Sequence, residues 1–140
     1  MKETYALQII IKTYRNFFEN LGKSLYLDIP HINSAGHVVY SVVRYVDENL
    51  YKILTNKEIA KNVGYSYGHI SYLFKEKTGK TLQEYIQMKK INEAIKLIRD
   101  GRFNITQIAK KLNYKTVQSF SKAFKKSIGY SPANYSKLLE

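Results

Sequence analysis

Apolar residues recur at spacings of three and four along most of the chain, which is the pattern of amphipathic helices. Serine, threonine or asparagine precedes many of these segments and glycine follows them, as expected for helix starts and helix ends. No segment alternates convincingly between apolar and polar positions with the period of two that is typical of strands. The pattern therefore predicts an all-α fold with seven helices after residue 36.

Capping residues set the predicted helix boundaries. Residues 55–58, 81–84 and 104–107 each pair Thr or Asn with Glu or Gln three positions later, which is the capping-box pattern of a helix start. Ser66 and the Ser131-Pro132 pair open two further helices. The long helix over residues 81–99 would measure about 28 Å at 1.5 Å per residue.

Two parts of the chain repeat each other. Residues 59–65 match residues 108–114 at an offset of 49, and the offset becomes 50 through the helix that follows. Each copy contains a short capped helix, a tight turn and a longer helix with basic and small polar residues on its outer face. This arrangement is a helix-turn-helix, and two copies in one chain are a much stronger signal than one. Asn113 replaces the turn glycine in the second copy, and asparagine tolerates the left-handed conformation that a turn requires.

The charge favours a polyanionic partner. The 140 residues include 23 Lys and Arg against 11 Asp and Glu, a net charge of +12. Residues 1–35 carry +1 of this, so residues 36–140 carry +11. An excess of this size favours nucleic acid or an anionic membrane surface as the partner, while the 44% apolar content excludes a disordered basic tail.

Composition also excludes several kinds of site. The chain has no cysteine, and His31 and His37 lack the spacing of a ligand pair, so we expect no metal site. There is no Gly-rich phosphate loop, no carboxylate pair within a motif and no nucleophile elbow, so we expect no enzyme, no catalytic residue and no cofactor. Without a secretory signal or an apolar run of about 20 residues, we expect a soluble, cytoplasmic protein with no membrane partner.

Four segments follow from the charge division and the helix boundaries: an N-terminal helix and linker over 1–35, a first helix-turn-helix subdomain over 36–80, a connecting helix over 81–101, and a second subdomain over 102–140. The N-terminal segment contains an amphipathic helix whose apolar face either packs on the rest of the chain or docks a partner. In the second case a homodimer would form through residues 5–21 or through a missing domain. Residues 1–35 would then be the end of a missing effector or dimerisation domain, whereas a natural start at Met1 would indicate a short chain without one.

The connecting helix is long enough to hold two reading helices over neighbouring major grooves of DNA. A reading helix fits the major groove, and successive major grooves on one face of B-DNA lie about 34 Å apart. We therefore expect double-stranded DNA as the partner and a non-palindromic site of about two helical turns. Non-specific binding of nucleic acid or of an anionic membrane through charge alone is the alternative.

From Leu54 to Tyr135 the chain resembles the DNA-binding domain of the AraC/XylS family of bacterial transcription activators. The resemblance is most specific in a run of residues around the second reading helix: Ile108, Ala109, Tyr114, residues 119–126, Gly129, Ser131, Pro132 and Tyr135. It implies two homeodomain-like helix-turn-helix subdomains joined by a long helix. It also implies sequence-specific DNA binding and activation through contact with RNA polymerase.

The resemblance assigns the contact residues position by position. Base contacts are expected from the two reading helices: Tyr67, Gly68, His69, Ser71 and Tyr72 in the first, and Thr116, Val117, Gln118, Ser121 and Lys122 in the second. Gln118 can pair with adenine, Lys122 can donate to guanine, and Val117 can contact a thymine methyl group. Phosphate contacts are expected from helix starts and lysines: Thr55, Asn56, Lys75, Ile105, Thr106, Lys125 and Lys126.

Overall fold

The computed structural model describes residues 34–140, which form seven α-helices and, within that range, no strand. The helices are α1 Ser34–Glu48, α2 Asn56–Val63, α3 Tyr67–Thr78, α4 Leu82–Asp100, α5 Ile105–Lys111, α6 Val117–Ile128 and α7 Pro132–Leu138. The predicted all-α fold is confirmed, although α1 begins at residue 34 rather than after residue 36. The predicted N-terminal amphipathic helix lies outside the described residues.

Reciprocal side-chain caps begin the short helices, as predicted. Thr55 Oγ1 accepts a hydrogen bond from the Glu58 backbone N–H, and Glu58 Oε2 accepts one from the Thr55 N–H, both at 3.2 Å. Asn104 and Gln107 form the same pair at 2.8 and 2.9 Å. Such a cap stabilises a helix by about 1 kcal/mol, because it satisfies N–H groups that have no partner within the helix.

The two tight turns contain the left-handed residues that the sequence predicts. Gly64 ends α2 with φ at +82°, where a side chain would be strained. Asn113 follows α5 with φ at +60° and is the one non-glycine residue with positive φ in the described range. Its short polar side chain makes this conformation tolerable.

The described chain divides into two compact units between Gln87 and Met88. The first unit closes around one apolar core to which α1, α2, α3 and the start of α4 contribute. Phe74 and Tyr85 lie at its centre, with their ring centroids 5.3 Å apart. The core residues are Val38, Val39, Val42, Val46, Leu50, Ile59, Ile70, Leu73, Phe74, Leu82, Tyr85 and Ile86.

The second unit has its own core, formed by the remainder of α4 with α5, α6 and α7. Its aromatic rings form a chain, in which Phe124 lies 5.8 Å from Phe120 and 5.6 Å from Tyr135 between centroids. The core residues are Ile91, Ala94, Ile95, Leu97, Ile98, Ile108, Ala109, Leu112, Phe120, Phe124, Ile128 and Tyr135. The two helices predicted to read DNA, α3 and α6, are therefore each fixed by burying one face in the core of their own unit.

Two repeat-related tyrosines differ in the environment of their hydroxyl groups. Tyr85 and Tyr135 correspond at an offset of 50, and both are buried. Tyr85 Oη donates to Asp47 Oδ1 at 3.2 Å, and burial together with the Asp47 charge raises the pKa of Tyr85. Tyr135 Oη has no hydrogen-bond partner within residues 34–140.

This difference predicts that replacing each tyrosine by phenylalanine changes the free energy of unfolding differently. Tyr85→Phe should lower the free energy of unfolding by about 1 kcal/mol, because it removes the bond to Asp47. Tyr135→Phe should leave stability unchanged or raise it by up to about 1 kcal/mol, because it removes a buried unpaired hydroxyl group. Urea unfolding followed by circular dichroism compares the two variants, and equal losses would contradict the assigned environments.

Candidate nucleic-acid interface

The outer face of α3 carries aromatic and small side chains. Gly68, His69 and Tyr72 are exposed, and Tyr72 shows 66% of its surface to solvent. Ser71 is partly buried, and Tyr67 packs partly against the core of the first unit. All five base contacts predicted for the first reading helix thus lie on α3, with three of them fully at the surface.

A polar network fixes Tyr67 relative to the start of α2. Gln83 Nε2 donates to Tyr67 Oη at 3.4 Å and to Asn56 Oδ1 at 3.1 Å. Gln83 thereby joins a predicted base-contact residue to a predicted phosphate-contact residue. Gln83 was not predicted, because it lies 27 positions from Asn56 and no local pattern marks such a pair.

The outer face of α6 carries side chains with stronger hydrogen-bonding capacity. Gln118 and Lys122 are exposed and four residues apart, so they lie one above the other on the same face of the helix. Val117 packs partly against the core of the second unit, and Ser121 is partly buried. Of the predicted base contacts within α6, the two exposed ones therefore end in an amide and an ammonium group.

Thr116 precedes α6 and caps it. Thr116 Oγ1 accepts a hydrogen bond from the Ser119 backbone N–H at 3.0 Å, and Ser119 Oγ accepts one from the Thr116 N–H at 3.3 Å. Thr116 was predicted to lie on the reading helix, and this cap was not predicted. Its base contact stays a prediction.

The residues predicted to contact phosphate lie at helix ends. Lys75, Lys125 and Lys126 are exposed in the last turns of α3 and α6. Asn56 and Ile105 are the first residues of α2 and α5, where backbone N–H groups have no partner within the helix. Thr106 is the next residue of α5 and is exposed.

Thr55 differs from the other predicted phosphate contacts, because both of its donors are engaged. Its N–H and its hydroxyl group donate to Glu58 Oε2 at 3.2 and 2.8 Å. These bonds, the one from the hydroxyl group first, hold the pKa of Glu58 below its ordinary value. Glu58 is therefore negatively charged at neutral pH beside the start of α2. The capping box was predicted, but the engagement of both Thr55 donors by Glu58 was not.

Two other side chains have shifted pKa values with local physical causes. The pKa of Glu84 is lowered by the hydrogen bond that it accepts from the Thr81 backbone. Burial lowers the pKa of Lys90, whose Nζ lies 5.3 Å from the centroid of the Tyr114 ring. Within residues 34–140, no three His, Asp or Glu side chains converge as a metal site would require. In the same range, no helix combines the length and hydropathy needed to cross a membrane.

Comparison with known proteins agrees with this geometry. The family model described as a helix-turn-helix domain matches residues 59–138, more than half of the chain. The transcriptional activator AarP of Providencia stuartii is 30% identical over 105 residues, covering 75% of this chain and 78% of that protein. A regulator with an AraC-type DNA-binding domain from Chromobacterium violaceum superposes with a TM-score of 0.67 at 22% identity, covering 71% of this chain and 89% of that one. The chain belongs to the AraC family of DNA-binding transcription regulators.

The AraC-family fold is also present in a protein solved with DNA. The DNA-binding domain of AdpA, crystallised in complex with a target DNA, superposes with a TM-score of 0.67 at 18% identity, covering 71% of this chain and 90% of that one. At this identity the likeness shows the fold alone. It confirms, with the other comparisons, the predicted architecture of two helix-turn-helix subdomains joined by a long helix.

Proposed function

We propose that this AraC-family chain binds a specific DNA sequence and activates transcription, with α3 and α6 entering adjacent major grooves. The observation that carries the proposal is the repeated helix-turn-helix, since each copy exposes one face of its second helix and ends that helix with lysines. A helix of this kind reads base edges in the major groove. AarP, which is a transcriptional activator, supports activation rather than repression.

On α6 we assign direct reading of bases to Gln118 and Lys122. The Gln118 amide has the donor and acceptor that pair with adenine N7 and N6, and Lys122 can donate to guanine O6 and N7. Thr116, Val117 and Ser121 flank these two residues and would make shorter contacts. Of these, Val117 would offer a thymine methyl group the part of its side chain that the core leaves uncovered.

On α3 we assign base contact to the five residues that the sequence analysis named. His69 and Ser71 can each form single hydrogen bonds with a base edge, and Tyr72 adds a hydroxyl group at the end of an exposed ring. Tyr67 borders this face and has its hydroxyl group oriented by Gln83. Gly68 lets the DNA approach the backbone closely.

Phosphate contacts would hold each helix in its groove. We assign them to Lys75, Lys125 and Lys126, to the helix starts at Asn56, Ile105 and Thr106, and more weakly to Thr55. Lys115 is exposed immediately before the cap of α6, and we add it to the set, although the sequence analysis did not name it. Such contacts position a protein on DNA without selecting its sequence.

Two protein partners belong to the proposal as well. Activation requires that the bound regulator reach RNA polymerase, so we expect a polymerase contact outside the DNA-binding faces. A homodimer through residues 5–21 or through a further domain stays a prediction.

Selection from a pool of random duplexes tests the proposed function. The purified chain should enrich one motif of about two helical turns, because base contacts favour the correct sequence by several kcal/mol over random DNA. Binding should weaken as salt rises, but a non-specific binder would show the same trend. A pool that binds without enrichment would contradict the proposal and indicate a non-specific polyanion binder.

A further inference from the structure

The two reading helices can be compared residue by residue. An offset of 50 relates the N-cap of α3 to the N-cap of α6, Ser66 to Thr116, and relates their last glycines, Gly79 to Gly129. Both helices contain 12 residues. Positions at this offset therefore occupy the same place on the two helices.

The two residues of α6 to which we assign base reading, Gln118 and Lys122, have no equivalent side chain on α3. Gly68 stands at the position of Gln118, and Tyr72 stands at the position of Lys122. All four residues are exposed. Glycine offers a base edge no side chain, and a tyrosine hydroxyl group forms single hydrogen bonds where an amide pairs at two points. On this face, α6 thus carries an amide that can pair with a base at two points, whereas α3 offers single hydrogen bonds.

Packing does not require this difference. Gly68 lacks the positive φ of the turn glycines, and a Cβ built on it would meet no heavy atom within 4 Å. A side chain at residue 68 would extend into open space, as Gln118 does on α6. Packing of the core therefore does not require glycine at residue 68. The absence of a long side chain there is a feature of the surface that we propose faces DNA.

The second copy also has the higher net charge, as well as the stronger hydrogen-bonding side chains. Residues 55–79 contain four lysines and two glutamates, a net +2, whereas residues 104–129 contain six lysines and no acid, a net +6. Glu76 at the end of α3 corresponds to Lys126 at the end of α6, so a charge is reversed at a predicted phosphate-contact position. Because phosphate contacts supply most of the salt-dependent affinity, the second copy has the stronger electrostatic attraction for DNA.

What α3 does offer is a largely apolar depression along the helix. It is lined by Tyr67, Gly68, Ser71 and Tyr72, and by Lys75 and Glu76 towards the end of the helix. Apolar surfaces of this kind contact the methyl group of thymine in the major groove. Such contacts distinguish bases less sharply than a pair of hydrogen bonds does.

We propose that the preferred DNA site is asymmetric, with a strictly specified half read by Gln118 and Lys122 of α6 and a loosely specified, A·T-rich half contacted by the apolar face of α3. The inference rests on the proposed function, since it divides one DNA site between the two helices. Within the α6 half, a single base-pair change should weaken binding roughly 5-fold to 150-fold. Within the α3 half, most single changes should weaken binding less than about 5-fold, because no bidentate pair is lost.

Duplex selection with matched variants of the full chain tests whether α6 reads one half of the DNA site strictly and α3 the other half loosely. Gln118→Ala combined with Lys122→Ala should erase the strongly specified half of the motif, and this loss identifies that half as the one under α6. Gly68→Gln combined with Tyr72→Lys should create new base preferences in the other half. Gly68→Ala is the control, since a methyl group at an open position adds no hydrogen bond. All four positions concerned are exposed, and circular dichroism checks that each variant stays helical.

The outcomes separate this inference from the proposed function. A motif that is strongly specified in one half only, and loses that half in the α6 variant, supports the inference. A motif equally specified in both halves, with one strongly specified half surviving in the α6 variant, overturns the inference and leaves the proposed function standing. A pool without enrichment overturns both.

Discussion

Replacing Phe124 by alanine is expected to lower the free energy of unfolding of the second unit by about 3 to 5 kcal/mol. Phe124 is fully buried on α6, between the rings of Phe120 and Tyr135. Its removal leaves a cavity that these stiff neighbours can fill only in part. Because α6 carries the proposed base readers, DNA binding should be lost together with the fold of this unit.

Urea unfolding of Phe124→Ala against the neighbouring variant Lys125→Ala measures this effect. Lys125 is exposed, so its substitution should change stability by no more than about 0.5 kcal/mol. A loss below 1 kcal/mol at Phe124 would contradict the packing of α6 against its core. Phe74 holds the equivalent buried position of the first unit, and its replacement by alanine should cost a similar amount.

Lys122→Ala and Lys126→Ala are expected to weaken DNA binding in two different ways. Lys122 lies on the face of α6 that we assign to base reading, so its loss should remove about 1 to 3 kcal/mol of discrimination at one base pair. Lys126 lies in the last turn and is assigned to phosphate, so its loss should weaken binding equally on all sequences. It should also reduce the slope of log affinity against log salt by about 0.9.

Titration of each variant against duplexes substituted one base pair at a time separates the two effects. The Lys122 variant should lose its preference at one position and keep it at the others. The Lys126 variant should keep every preference at a uniformly lower affinity. An equal loss of preference in both variants would mean that α6 lies in the groove in a different orientation.

Local sequence patterns predicted the helices because the interactions that begin and end a helix span only a few residues. The caps at Thr55 and Asn104 join residues three apart, and the left-handed turns at Gly64 and Asn113 depend on a single residue each. The internal repeat then predicted the pairing of short and long helices in both units. These signals were sufficient to predict the all-α architecture.

The details of the interface depend on contacts that no local pattern marks. The bond from Gln83 to Asn56 joins residues 27 positions apart, and the partial burial of Val117 depends on how α6 packs against its core. The engagement of both Thr55 donors by Glu58 becomes visible only with side-chain geometry. The sequence was therefore sufficient to predict the two reading helices. It was not sufficient to predict how much of each side chain is exposed and free of other contacts.

The most direct test of sequence-specific binding is a comparison of two dissociation constants at one physiological salt concentration. One duplex carries the motif enriched by selection, and the other carries the same bases in shuffled order. The account predicts that the full chain binds the enriched duplex at least about 1000-fold more tightly, the lower end of what specific DNA-binding proteins reach. Equal affinity for the two duplexes would contradict it and leave net charge as the sole basis of binding.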